Sequence, residues 1–220
     1  MTSTIEIVNI SKKYQSKNKT SVEAVKNINL QANSGDFIAI LGPSGCGKST
    51  LMMLAGGLLE ADSGTVVVNG QDLSQFSNSK KAQFRAENIA YVYQEFHLIP
   101  YLNVLDNVQV SDLALGRGSE GGANLILERL GLKGRAAHLP SELSVGEQQR
   151  VALSRAIYSG AKLILADEPT GNLDAENASL VLKALQKFTE DGGIVLMVTH
   201  DERALKYANR EMMMKAGEWQ

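Results

Sequence analysis

Gly42-Pro43-Ser44-Gly45-Cys46-Gly47-Lys48-Ser49-Thr50 decides the fold of this 220-residue chain. The stretch matches G-x-x-x-x-G-K-[ST]. It follows Phe37-Ile38-Ala39-Ile40-Leu41, a short unbroken apolar run that reads as a strand buried on both faces. Lys48 to Leu59 then reads as a helix. The glycines let backbone N–H groups converge on one point as an anion nest. The helix aims its positive end at the same point. Lys48 supplies a full charge for β and γ phosphates, and the Ser49 hydroxyl can ligate Mg²⁺. The plainer alternative, an ordinary glycine turn before a helix, leaves the fixed Lys-Ser pair and the strand-loop-helix context unexplained. Gly42, Pro43, Ser44, Gly45, Cys46, Gly47, Lys48, Ser49 and Thr50 are therefore read together as a phosphate loop.

Outward from this loop, the chain alternates strands with helices. Ile5 to Ile10 and Val25 to Leu30 alternate apolar and polar residues imperfectly, as half-buried and antiparallel strands do. Thr65 to Val68 reads as a strand closed by the turn pair Asn69-Gly70. Ile89 to Gln94, Lys162 to Ala166 and Ile194 to Thr199 read as further strands. Asn103 to Leu115, Gly122 to Leu130 and Ser144 to Tyr158 read as helices, the first two joined by a glycine-rich flexible stretch, residues 116–122. The expected fold is α/β: a phosphate-loop NTPase core with a mostly parallel sheet and helices on both faces. An antiparallel β subdomain and an α-helical subdomain at about 97–160 are added to it. All of this is read as one domain, residues 1–220.

Composition narrows the function classes. Lys and Arg number 22 against 24 Asp and Glu, a net charge of −2, so no global basic field draws the chain to nucleic acid or anionic lipid. Its phosphate site must be local. The N-terminal residues do not read as a signal peptide, and no apolar run is long enough to span a bilayer. A soluble protein is expected. The single cysteine, Cys46, excludes an internal disulfide and a multi-cysteine zinc cluster and fits a reducing cytosol.

Four further features carry chemistry. Leu163-Ile164-Leu165-Ala166-Asp167-Glu168 is an apolar strand ending in two carboxylates, where open α/β sheets bind ligands. Asp167 can hold Mg²⁺ and Glu168 can orient or deprotonate an attacking water. By itself such a pair is commonly a solvated strand end; the phosphate loop upstream favours the catalytic reading. Leu143-Ser144-Val145-Gly146-Glu147 opens a helix, with Ser144 and Glu147 at capping-box spacing. The same N-terminus can serve as a second anion site, which a two-fold dimer would place on the other chain's nucleotide. Gln94 and His200 each follow a strand, and can reach metal or water and a γ-phosphate respectively. Alone, such residues are more often structural. Tyr14 can stack on adenine or simply pack.

Taken in order, Tyr14, the loop at 42–50, Gln94, the segment 143–147, Asp167-Glu168, Gly171-Asn172-Leu173-Asp174 and His200 resemble the nucleotide-binding subunits of ABC transporters across essentially the whole chain. The resemblance implies ATP and Mg²⁺ as cofactors. It makes Tyr14 the adenine-stacking aromatic, Gln94 the Q-loop residue and Ser144, Gly146 and Glu147 parts of the signature. It makes Asp174 part of the D-loop that crosses a homodimer, and His200 the switch histidine. Glu168, His200, Gln94 and Lys48 form the implied catalytic set, and Ser49, Gln94 and Asp167 the metal set. The implied activity is ATP hydrolysis coupled to transport through an integral membrane permease. The implied location is cytoplasmic, on the inner face of the cell membrane, attached only through that partner and not to nucleic acid. Residues 166–174 and 93–100 are similar to the subgroup of lipoprotein-releasing, macrolide-export, antimicrobial-peptide-export and cell-division ATPases. The short stretch after His200 is read as lacking a C-terminal regulatory domain, so export is favoured over import. Two alternatives belong to other classes: an ATP-dependent regulator of a membrane or cell-wall partner, and a soluble ABC protein acting on DNA or ribosomes. Substrate flux separates the first from a transporter; the second usually carries coiled-coil inserts, tandem domains or basic arms, and none is read here. The signature departs from L-S-G-G-Q/E at Val145, whose branched side chain adds bulk near the partner's phosphate.

Overall fold

Five parallel strands and one antiparallel edge strand form the central sheet of the computed structural model, which describes residues 4–15, 21–116 and 122–220. In chain order, β1 (Thr4–Gln15) and β2 (Ser21–Asn33) pair antiparallel. They are followed by β3 (Phe37–Leu41), α1 (Lys48–Ala55), β4 (Ser63–Val68) and β5 (Gln71–Asp72). Next come α2 (Asn78–Asn88), β6 (Ile89–Tyr93), α3 (Val104–Leu115), α4 (Gly122–Arg129) and α5 (Val145–Tyr158). The chain finishes with β7 (Leu163–Asp167), α6 (Ala175–Glu190), β8 (Ile194–Thr199), β9 (Arg210–Lys215) and β10 (Glu218–Trp219). The central order is β10-β9-β3-β8-β7-β6, and a separate antiparallel sheet runs β2-β1-β4-β5.

The unbroken apolar runs have a direct physical cause. Successive side chains of a strand face opposite sides, and here both sides are covered. Ile38, Ile40, Leu163, Leu165, Ile194, Leu196 and Val198 enter a core shared with α1 and the antiparallel sheet. Phe37, Ile164, Ala166, Val195 and Met197 enter a second core under α3, α4, α5 and α6. Each fully buried aliphatic side chain stabilises by about 1.5–3 kcal/mol relative to exposure.

Several elements differ from the sequence reading. The first helix ends at Ala55 rather than Leu59, because Gly56 and Gly57 follow and Gly57 adopts φ 63°. The strand read as Lys162 to Ala166 runs instead from Leu163 to Asp167, since the ladder to β6 continues to Tyr93–Asp167. Helices α2 and α6 and strands β9 and β10 were not read from the sequence. Of the glycine-rich stretch, Gly116 closes α3 in a left-handed conformation and Gly122 opens α4. Residues 117–121 lie outside the described residues.

Gly56 marks a tight join between α1 and the sheet. A Cβ there would run into the Tyr91 hydroxyl and approach Leu165 Cδ1 to 2.8 Å. The Tyr91 hydroxyl is itself buried, with no hydrogen-bond partner among the described residues. Gly56→Ala is expected to destabilise the protein by about 1–3 kcal/mol through overpacking. Thermal unfolding should show a fall of roughly 2–4 °C per kcal/mol for a chain of this size.

Candidate functional site

Register places the site. Leu41 pairs with Thr199, Val198 with Asp167, and Asp167 with Tyr93. The parallel strands β3, β8, β7 and β6 therefore end together on one edge. The residues that follow them are the phosphate loop, His200, Glu168 and Gln94. Four separated stretches of sequence become neighbours because parallel strands share a direction.

The phosphate loop is shaped by its packing. Gly47 caps α1 at φ 108°, and a Cβ there would overlap the Ala24 carbonyl on β2. Gly42 lies as close to the Met214 carbonyl on β9. Gly217 N–H donates to the Cys46 carbonyl at 3.0 Å, and Cys46 N–H to the Pro43 carbonyl at 3.3 Å. Cys46 is buried in the core, so its side chain anchors the loop. Ser44 and Gly45 are exposed at its tip, and Thr50 is half-buried in α1. Lys48 is 8% exposed, and its ammonium donates to the carbonyls of Gly42 at 2.7 Å and Pro43 at 3.1 Å. The charge thus sits inside the loop.

Ser49 Oγ donates to Asp167 Oδ1 at 3.3 Å. Burial pushes the Asp167 carboxyl above the usual range; the Ser49 hydrogen bond opposes this, the Glu168 charge adds to it and Lys48 offsets part of it. A desolvated carboxylate beside a hydroxyl, with the Gln94 amide on the next strand end, is a hard oxygen set of the kind Mg²⁺ takes alongside waters and phosphate oxygens. No cluster of three or more His, Cys, Asp or Glu able to cage a metal exists among the described residues.

Glu168 has φ 49°, in the left-handed region that non-glycine residues rarely adopt. Its N–H donates to the Val198 carbonyl at 2.9 Å. Its Oε2 lies 2.9 Å from His200 Nδ1 and accepts from His200 N–H at 3.3 Å. The structure thus joins the two residues that the sequence reading assigned to water and to γ-phosphate. The strained turn after β7 is of the sort concentrated at functional sites.

Gln94 is exposed, and its amide donates to Asn172 Oδ1 at 3.4 Å. Ser144 caps α5: its hydroxyl accepts from Glu147 N–H at 3.3 Å and donates to Glu147 Oε2 at 2.9 Å. The capping-box reading is correct within one chain. Hydrogen bonds from Ser144 lead the effects that hold Glu147 below the usual carboxylate range, and Arg135, at 2.8 Å, contributes. Gly146 is buried against Asn177, leaving no room for a Cβ. Val145 fits the first turn of α5 and is half-exposed. Asp174 caps α6, accepting from Asn177 N–H at 2.8 Å. Arg150 of α5 donates to the Asn177 amide oxygen, so the starts of α5 and α6 are tied together. Tyr14, 41% exposed, stands on β1 opposite Val22, on the strand pair that carries Ala24 to the phosphate loop.

Sequence reasoning missed Asn177, Arg150 and the hydrogen bond from Thr170 Oγ1 to Asp201 at 2.8 Å. For Asn177 a signal existed, since it stands at the third helical position after the capping Asp174. Arg150 and Thr170 meet partners 27 and 31 residues away, and no local pattern marks such pairs.

A profile described as ABC transporter matches residues 25–171. The chain is 38% identical over 217 residues to the lipoprotein-releasing system ATP-binding protein LolD of Shewanella oneidensis, covering 97% of this chain and 94% of that protein. It is 39% identical to the macrolide export ATP-binding/permease protein MacB of Pasteurella multocida, again over 97% of this chain but only 33% of that longer protein. Among solved structures, the dimeric ATP-binding cassette MJ0796 in a post-hydrolysis state bound to ADP and Pi superposes with a TM-score of 0.90 at 33% identity, covering 98% of this chain and 96% of that one. With the strand-end site in place, these likenesses establish that the chain belongs to the ABC transporter family, as an ATP-binding and ATP-hydrolysing subunit that powers a membrane transporter.

Proposed function

We propose that two copies of this chain sandwich two Mg-ATP and drive an exporter of the lipoprotein-releasing or macrolide-export type. The observation that carries the catalytic part is the common edge of Leu41, Thr199, Asp167 and Tyr93, with Glu168 and His200 2.9 Å apart upon it. In this reading residues 42–50 bind the phosphates and Tyr14 stacks on adenine. Ser49, Asp167 and Gln94 hold Mg²⁺ with the phosphates and water. Lys48 offsets charge on the transferring phosphoryl group. Glu168 positions water, and His200 orients Glu168 and contacts the γ-phosphate. Bound Mg²⁺ supplies electrostatic stabilisation of the phosphates; the residues do the positioning.

Ser144, Gly146 and Glu147 complete the partner's nucleotide site, with Asp174 at the crossing. Arg135 beside Glu147 offsets a carboxylate that would otherwise repel that phosphate. The likeness to the dimeric cassette supports this arrangement. ATP then favours the closed dimer because it contacts both halves only there. The chain is one domain, 1–220, with α3, α4 and α5 in a helical subdomain at about 97–160. An open cleft of about 450 Å³ lined by Gln94, Phe96, Leu98, Pro100, Pro140 and Gln148 receives the permease on the inner face of the membrane. Among the described residues no helix is long and apolar enough to cross a membrane.

Glu168→Gln should bind ATP within a few-fold of the wild type while turnover falls about 10²–10⁴-fold, the usual worth of a general base. Light scattering with Mg-ATP should show a trapped dimer. Turnover close to wild type would remove Glu168 from this role, and a monomer in the presence of the permease would remove the sandwich.

Asp167→Asn should separate stability from activity. The folded carboxyl titrates above its ordinary value of about 3.9, so its ionisation costs folding stability as pH rises through the raised value. The amide should therefore raise Tm at pH 7.5. The gain should shrink as pH falls toward the ordinary carboxylate range, while Mg²⁺-dependent hydrolysis is lost at every pH. A Tm unchanged or lowered at pH 7.5 would contradict the assigned cost.

A further inference from the structure

We infer that Arg155, in the last turn of α5, is a positioning residue that sets the loop carrying Gln94. Its two terminal nitrogens donate to consecutive carbonyls, NH2 to Phe96 O at 3.0 Å and NH1 to His97 O at 2.8 Å. Both carbonyls face one guanidinium, and His97 between Phe96 and Leu98 adopts φ 45°. No ion pair involves Arg155 among the described residues, so the planar fork is matched to backbone alone. Burial lowers the affinity of Arg155 for its proton, and the nearby Tyr93 offsets part of this.

The same helix holds the strand end before the loop. Gln149 of α5 donates to the Tyr93 carbonyl at 3.4 Å, and the Tyr93 ring meets the His97 ring edge-on at 4.8 Å. Beyond the loop, the Asn107 amide accepts from Ile99 N–H at 2.7 Å and donates to the Ile99 carbonyl at 3.0 Å. Gln94 is thus carried between fixed points, and those at 93, 96 and 97 come from one helix. That helix begins at Ser144. The signature end and the Gln94 loop are coupled through a rigid element rather than through sequence proximity. A lysine would keep the charge but offer it from a single ammonium nitrogen, in place of two separated terminal nitrogens held in a planar fork.

The inference rests on the reading of Gln94 as a group that favours Mg-ATP over ATP, and its test separates the two. The readout is binding: the gain in ATP affinity on adding Mg²⁺, measured calorimetrically in the full-length Glu168→Gln background. Gln94→Ala and Arg155→Ala should each reduce that gain by about 5–10-fold, a shift within the range expected for one hydrogen-bonded group. The double variant should lose no more than either alone, as for residues acting through one another. Arg155→Lys should recover only part. Gly56→Ala serves as a control that lowers Tm with the gain intact. An unchanged gain in Arg155→Ala overturns the inference, whatever Gln94→Ala does. A shift in Arg155→Ala without one in Gln94→Ala, or a fully additive double variant, also overturns it. If neither single variant moves the gain, the assignment of Gln94 falls as well.

Discussion

In-register pairing of parallel strands is the constraint on which this molecule depends. Each strand of β3, β8, β7 and β6 is five or six residues long and ends within one step of its neighbour. A slip of one residue would turn each alternating side chain to the opposite core. It would also move Asp167 away from Ser49. The packing that holds the sheet between two cores is therefore the same packing that assembles the nucleotide site. Stability and chemistry share one set of registers.

The site shows two kinds of fit. The phosphate loop is held by backbone pressed against Gly42 and Gly47 from Met214 and Ala24, so its neighbours shape it from outside. By contrast, the proposed second half of the site sits on helix starts. Ser144 and Asp174 cap α5 and α6, and Asn177 joins the two helices through Arg150. Helix N-termini present N–H groups and a positive dipole end. Bringing such an end to a nucleotide held by another chain is a natural way for ATP to join two halves, and the dimeric likeness agrees with it.

Much of this was legible without a structure, for particular reasons. The loop at 42–50 has a local motif with a physical rationale, and the apolar runs at 37–41 and 194–199 coincide with β3 and β8 because strands buried on both faces have no polar alternation to confuse. Other elements left weaker traces. Helix α2 is polar almost throughout and buries only Phe84. The α6 stripe of Ala178, Val181, Leu182 and Leu185 has clear helical spacing and was overlooked. Strands β9 and β10 are short and largely exposed; β9 pairs with β3, whose residues lie some 170 positions earlier, and β10 pairs only with β9.

The amino-acid sequence by itself determined the phosphate loop, the buried strand types, the carboxylate pair and the two capping signals, since each is local and its chemistry is written in consecutive residues. Only the tertiary structure decided which strand ends meet, that Glu168 lies against His200, and that Arg155 reaches the carbonyls of Phe96 and His97. The Glu168–His200 and Arg155 contacts join residues 32 to 59 positions apart, and the ends of β3 and β8 and of β6 and β7 meet over longer separations still. They arise from strand order and helix packing, where free energy comes from burial summed over the whole chain and not from any one segment.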